Sequence, residues 1–202
     1  MFNFKDVDRS MLMKLVILHV AVIVVSNALV GIPVEIFGVK LTWAAFTFPL
    51  VVIATDLTVR LLGKQIARST IAVAYPFAII GSIAVVLLEG APTSVALRIG
   101  FASATAYAIG TMLDVYVFQH IREKWSNNWW LAPAVSTVAA NIIDTYSFFF
   151  VAFSGSANEY MAANWMEIAG SQTVLKIFVG LIVFLPAYGL LLNRLQLKYK
   201  VK

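Results

Sequence analysis

Seven polar side chains fall inside long apolar runs: Asn27, Asp56, Arg60, Asp114, Asn141, Asp144 and Lys176. A charge at the centre of a bilayer costs roughly 2.5–3.5 kcal/mol on an insertion scale, so such groups face a protein interior or a wet cavity and mark candidate functional sites. Their chemistry is recognition. A carboxylate accepts two N–H bonds at once, an amide donates and accepts, and a low dielectric strengthens both.

Spacing sorts them into two layers. Asp56 lies roughly 9 Å, or six residues, from the end of its run, and Asp114 lies at a similar depth in another run. Arg60 is one turn beyond Asp56 on the same face. These three form one expected layer, in which an Asp56–Arg60 bridge is the plain structural alternative. Asp144, with Asn141 about one turn away, and Lys176 form the other, where Asp144 and Lys176 can pair and Asn27 can join them.

Other chemistries lack their residues. The chain has no Cys and two His, His19 and His120, so thiolate, haem and HExxH sites are not expected. Gly63-Lys64 is followed by Gln65 and lacks the upstream glycine of a Walker A loop, and no GxSxG occurs. We therefore expect no enzyme, no cofactor and no metal.

The elements that position these groups are helices in lipid. Of 202 residues 61% are hydrophobic and 12% charged, about half the charge of a soluble domain, so much of the surface must meet lipid. Open strands cannot cross a bilayer, and the runs lack barrel alternation. The sequence predicts an all-α integral membrane protein, residues 1–202 as one polytopic domain, with six transmembrane helices near 11–31, 41–62, 69–89, 98–119, 129–152 and 171–193. Asp6 and Asp8, and the apolar residues past Ala28, argue against a cleaved signal peptide.

Lys and Arg crowd one set of ends: Lys5, Arg9 and Lys14; Arg60, Lys64 and Arg68; Arg122 and Lys124; Arg194, Lys198, Lys200 and Lys202. The positive-inside rule then puts both termini in the cytoplasm. Residues 154–170 form the expected outer connection, with Tyr160, Met161, Trp165, Met166 and Ile168 on a short interfacial helix. Trp125, Trp129 and Trp130 anchor the other interface. Pro49, Pro76 and Pro186 are expected to kink or interrupt spans. Asp56 and Asp144 occupy the middle helices of two three-helix halves, consistent with a 3+3 inverted repeat. Arg98, Ala102, Ala106, Gly110 and Asp114 recur every four residues, a stripe for close packing within the chain or across a homodimer. Pro133, Thr137, Asn141, Asp144 and Phe148 share one face of the fifth span.

Several segments in fixed order carry a resemblance: TWAAFTFPLVVIATDLTVRLLG from Thr42, GTMLDVYVFQ from Gly110, WWLAPAVSTVAANIIDTYSFFF from Trp129, NWMEIA from Asn164 and FLPAYGLLLN from Phe184. Over almost its whole length the chain resembles the queuosine precursor transporter family, which is vitamin uptake transporter-like. The resemblance implies a bacterial inner-membrane importer of 7-cyano-7-deazaguanine, with the 7-aminomethyl form as a second candidate, for tRNA queuosine modification. Its partners would be that purine-like substrate and the bilayer, not nucleic acid.

A guanine-like edge presents two N–H donors beside a carbonyl. Asp144 or Asp56 can accept the donors, and Asn141 can reach the carbonyl. Phe46, Phe148 or Tyr146 can stack on the bicycle, and Asp114 can attract an aminomethyl cation. A secondary transporter leads this reading. A substrate-binding membrane subunit served by a separate ATPase, a membrane enzyme and a scaffold are the alternatives.

Overall fold

The apolar runs fold as helices that bury their small and polar faces against each other. The computed structural model describes residues 9–30, 33–36, 39–47 and 49–199; Lys5, Asp6, Asp8, Lys200 and Lys202 lie outside them. Helix α1 (Arg9–Val30) leads into an antiparallel hairpin, β1 (Pro33–Ile36) and β2 (Val39–Thr42), in which Pro33 faces Thr42 and Ile36 faces Val39. Then come α2 (Ala44–Thr47), α3 (Pro49–Leu62), α4 (Lys64–Leu88), α5 (Thr93–Lys124) and α6 (Leu131–Phe153). The last element is a helical rod: α7 (Glu159–Val179), a π-helical segment (Gly180–Phe184) and α8 (Leu185–Tyr199).

Five of these units are long and apolar enough to cross a membrane: Arg9–Leu29, Lys64–Leu88, Thr93–Lys124, Leu131–Phe153 and Glu159–Gln196. The expected span at 41–62 is different. Its first residues pair as a strand, and only the 14 residues of α3 form its main helix, roughly 21 Å at 1.5 Å per residue and short of a 30 Å bilayer core. Pro49 explains the break. It suits the first position of a helix and disfavours helical backbone in the residue before it. Gly63, at φ +92°, then turns α3 directly into α4, and its N–H closes onto the Thr58 and Val59 carbonyls at 3.0 and 3.1 Å.

The expected interfacial helix within 154–170 is likewise corrected. The Asn158 side chain caps α7 by accepting from Met161 N–H at 3.1 Å, and the helix runs on through Gly170 into the last span. Pro76 stays inside an unbroken α4. Pro186 sits just past the π-helical segment, whose wider turn displaces the backbone register beside it.

Helix α5 is the hub, packed between α4 and α6 and touched by α3. Ala102, Ala106, Gly110 and Asp114 are all buried. A Cβ on Gly110 would come within 2.9 Å of the Asp144 Cβ, so the small-residue stripe brings α5 against α6 inside the chain. At the end of that contact Arg98 donates to the carbonyls of Val151, Ser154 and Gly155, closing the C-terminus of α6.

Candidate functional site

Asp56, on short α3, is buried against α5 and α6. Ser136 Oγ donates to its Oδ1 at 3.2 Å, and the Asp114 carboxyl lies beside the two. Arg60 does not form the expected bridge to Asp56: its Nη1 donates to the Trp129 carbonyl at 3.3 Å. The guanidinium has a backbone acceptor at the helix end, so the acid is left to other partners.

Asp56 opens on a crevice between α3, α6 and the final rod. Pro133 and Thr137 form one wall, Gly180, Phe184 and Tyr188 the other. The free volume is about 10 Å³, room for about one water. One turn along α6 from Thr137, Asn141 is buried. Its Nδ2 donates to the Thr137 carbonyl at 2.9 Å, and its Oδ1 has no partner among the described residues. The rod comes close because residue 180 is glycine: a Cβ there would lie 2.9 Å from Thr137 Cγ2. The crevice therefore presents one buried carboxylate, Asp56, and the Asn141 carbonyl oxygen lies beyond its lining, one turn past Thr137. Its walls are an interrupted helix and a π-helical turn, a local geometry common at functional sites.

The second expected layer is there in part. Lys176 Nζ lies 3.2 Å from Asp144 Oδ2 and 3.2 Å from Thr145 Oγ1. Asn27 does not join them. Its Nδ2 donates to Ser82 Oγ at 2.6 Å and its Oδ1 accepts from Ser103 at 2.9 Å, which ties α1 to α4 and α5. The candidate stacking rings also lie elsewhere. Phe46 packs on Trp43, and Phe148 meets Phe149 and Phe153 edge-on. Tyr146 is largely exposed.

Sequence reasoning passed over Ser136, Tyr188 and the π-helical segment. Tyr188 stands in the segment FLPAYGLLLN, yet no periodicity marks a residue that shares a crevice with Asp56, far earlier in the chain. It also passed over a buried His19–Tyr107 contact, Nδ1 to hydroxyl at 2.9 Å. A polar pair split between two apolar helices leaves no local signal.

A separate apolar groove of about 530 Å³ runs between α1, α3 and α8, along Met11, Leu15, Leu18, Leu57, Leu61 and Leu195. Among the described residues none that lines it is charged and only Thr58 is polar, with its hydroxyl donated to the Ala54 carbonyl, so it offers little to orient a polar bicycle.

Comparison with known proteins adds the following. The family described as "Putative vitamin uptake transporter" matches residues 42–191. The "Queuosine precursor transporter" of Escherichia coli (strain K12) is 45% identical, over 88% of this chain and 84% of its own length. Two proteins named "Probable queuosine precursor transporter" are also similar. That of Haemophilus influenzae is 36% identical over 87% of this chain and 83% of its own, and that of Bacillus subtilis 28% identical over 82% and 78%. No solved structure matches the chain.

Proposed function

This chain belongs to the vitamin uptake transporter family, and from that premise we propose that it carries queuosine precursors across the bacterial inner membrane. The substrates are 7-cyano-7-deazaguanine and its 7-aminomethyl analogue. The chain works as a secondary transporter with both termini in the cytoplasm, exposing one site to each side in turn.

The substrate site is the crevice at Asp56. The observation that carries this choice is the unmet acceptor capacity there. Among the described residues Asp56 receives one hydrogen bond, from Ser136, and Asn141 Oδ1 receives none. Asp144 is engaged by Lys176. The deazaguanine edge supplies adjacent N–H donors, which suit a carboxylate that accepts on two oxygens. Asn141 meets a further donor, and its amide can also face the carbonyl. Tyr188 and Phe184 form the apolar wall against the ring. A crevice with room for about one water is a closed form, so loading requires the rod and α3 to part. The glycine and π-helical turn sit where that parting would occur.

The test is uptake of labelled 7-cyano-7-deazaguanine into proteoliposomes containing only this chain, with empty liposomes alongside. Saturable uptake, competed by the aminomethyl form but not by adenine, is expected. Asp56→Asn should lower uptake efficiency at least tenfold, since each hydrogen bond to a charged group is worth about 1.5–3 kcal/mol. Binding without uptake would favour dependence on a separate ATPase. Neither binding nor uptake by folded protein would overturn the substrate.

A further inference from the structure

Asp114 takes no part in the substrate crevice, yet it is 0% exposed. Among the described residues neither of its carboxylate oxygens has a hydrogen-bond partner. Its neighbours are the Asp56 carboxyl and the Ser136 hydroxyl. Ser136 has one proton to give, and Asp56 Oδ1 and the Pro133 carbonyl already compete for it, at 3.2 and 3.4 Å. Two acids in contact therefore have more acceptors than donors, in an interior where an unpaired charge is costly.

No basic group donates a hydrogen bond to the pair among the described residues. The charge of Arg60 on α3 reaches Asp56, but its Nη1 donates to the Trp129 carbonyl, and Arg122 of α5 donates to the Arg60 carbonyl at 3.2 Å. Arg68 of α4 stands over the Tyr116 ring. Tyr188 of α8 faces Asp56 with a phenol, and α6 brings the Ser136 hydroxyl. A proton bound between the two carboxyls neutralises one charge and supplies the missing donor.

One side of Asp114 offers a route for it. Thr111 and Tyr107 lie one and two turns along the same face of α5, both buried. The Tyr107 hydroxyl is 2.9 Å from His19 Nδ1, and among the described residues His19 Nε2 has no partner although the residue is 2% exposed. On the other side, buried Phe118 and Ile121 close the same helix. Polar groups thus lead to the acids from one direction and a ring bars the other.

We propose that the Asp56–Asp114 pair binds one proton per transport cycle, and that it arrives from the side on which His19 and Tyr107 stand. The proposal rests on the transporter reading above. A proton entering at His19 Nε2 releases the one on Nδ1 to Tyr107. Tyr107 in turn gives up its own hydroxyl proton toward the acid pair. His19 and Tyr107 each end with the protons they began with, and the acid pair gains one. A hard metal ion would need a cage of oxygens. Here the Thr111 hydroxyl is turned to the Tyr107 carbonyl, which leaves two carboxyls and Ser136.

The experiment uses the full chain in proteoliposomes, with labelled 7-cyano-7-deazaguanine as probe and an imposed gradient of about one pH unit, acid outside. One proton per substrate supports about tenfold accumulation, since one pH unit is a tenfold change in proton activity. Asp114→Asn should stop at about onefold, because movement without the proton runs only downhill. Infrared difference spectra of the wild type between about pH 5 and about pH 9 should show a protonated carboxyl band that Asp114→Asn lacks. If that variant does not fold, Tyr107→Phe, which keeps both acids, should slow gradient-driven uptake and leave the carboxyl band in place. Accumulation that follows sodium instead, a tenfold ratio in Asp114→Asn, or a wild type with no pH-sensitive carboxyl band would each overturn the proposal. A wild type that fails to exchange labelled for unlabelled substrate sinks the transport reading itself. The infrared titration needs no substrate and still decides whether the pair takes up a proton.

Discussion

Replacing Lys176 with Met should cost the fold about 3–5 kcal/mol, the range for removing one partner of a buried ion pair. The structure supports that range over the smaller value for a surface pair. The two side chains are 14% and 6% exposed, the Nζ–Oδ2 distance is 3.2 Å, and Thr145 shares the ammonium. What remains after the substitution is a carboxylate at the α5–α6 contact, where Gly110 brings the two backbones close. At about 2–4 °C per kcal/mol for a protein of this length, the melting temperature should fall by roughly 6–20 °C. Adding Asp144→Asn should restore most of the loss, because the stranded charge goes with it. The assay is thermal unfolding of the purified single and double variants, followed by uptake per folded molecule. If the double variant is no more stable than Lys176→Met, stranded charge is not the reason for the loss. If it folds and fails to transport, Asp144 touches substrate and the assignment of the site to Asp56 is wrong.

Gly180→Ala places a Cβ 2.9 Å from Thr137 Cγ2, and overpacking of this kind costs about 1–3 kcal/mol; uptake should slow, and a second change, Thr137→Ser, should restore it by removing that methyl group. Arg98→Gln removes the donors that close the end of α6 and should destabilise the protein by about 2–3 kcal/mol in thermal unfolding, with uptake per folded molecule maintained. Phe148→Leu breaks edge-on contacts with Phe149 and Phe153, worth about 1 kcal/mol. Its apparent affinity for substrate should match the wild type, and a tenfold loss of affinity would return Phe148 to the site.

How much of this was legible in the sequence depended on how far each cause reaches along the chain. Apolar length is a local property, so five of the expected spans each fall within a long apolar helix or overlap one, although the last helix starts at Glu159, well before 171. The stripe through Ala102, Ala106 and Gly110 is a periodic property, and it does mark the α5 packing face. The Asp144–Lys176 pair was legible because matched depth and opposite charge constrain two residues together. The second span failed because its apolar content is ample while Pro49 resets the backbone, and hydropathy carries no information about φ and ψ. The loop before the last span failed for the opposite reason. Polar residues at 154–170 read as a connection, yet Asn158 caps a helix that runs unbroken to Val179. Asn27 was assigned by depth alone, and depth does not fix the direction in which a side chain leaves its helix.

The two irregular elements face each other across Asp56, and the reason lies in what each lacks. Helix α3 ends after 14 residues, too few to span lipid, so its polar groups must be satisfied by neighbours. The rod is long enough to span, but its π-helical turn at Gly180–Phe184 shifts its register against the same neighbour. A movement that opens the crevice can therefore be confined to α3 and the rod. The α5–α6 contact, with Gly110 against Asp144 and Arg98 closing the end, has no comparable slack. Asp144 and Lys176 couple α6 to α7 below the π-helical turn in sequence, at Lys176, while the crevice residues Gly180, Phe184 and Tyr188 lie at and beyond it. If that division is real, a cross-link between α5 and α6 should leave uptake intact, whereas one between Ile53 and Leu185, which line opposite walls of the crevice, should abolish it. Equal inhibition by both would mean that the whole bundle rearranges and that the interrupted elements are not the hinge.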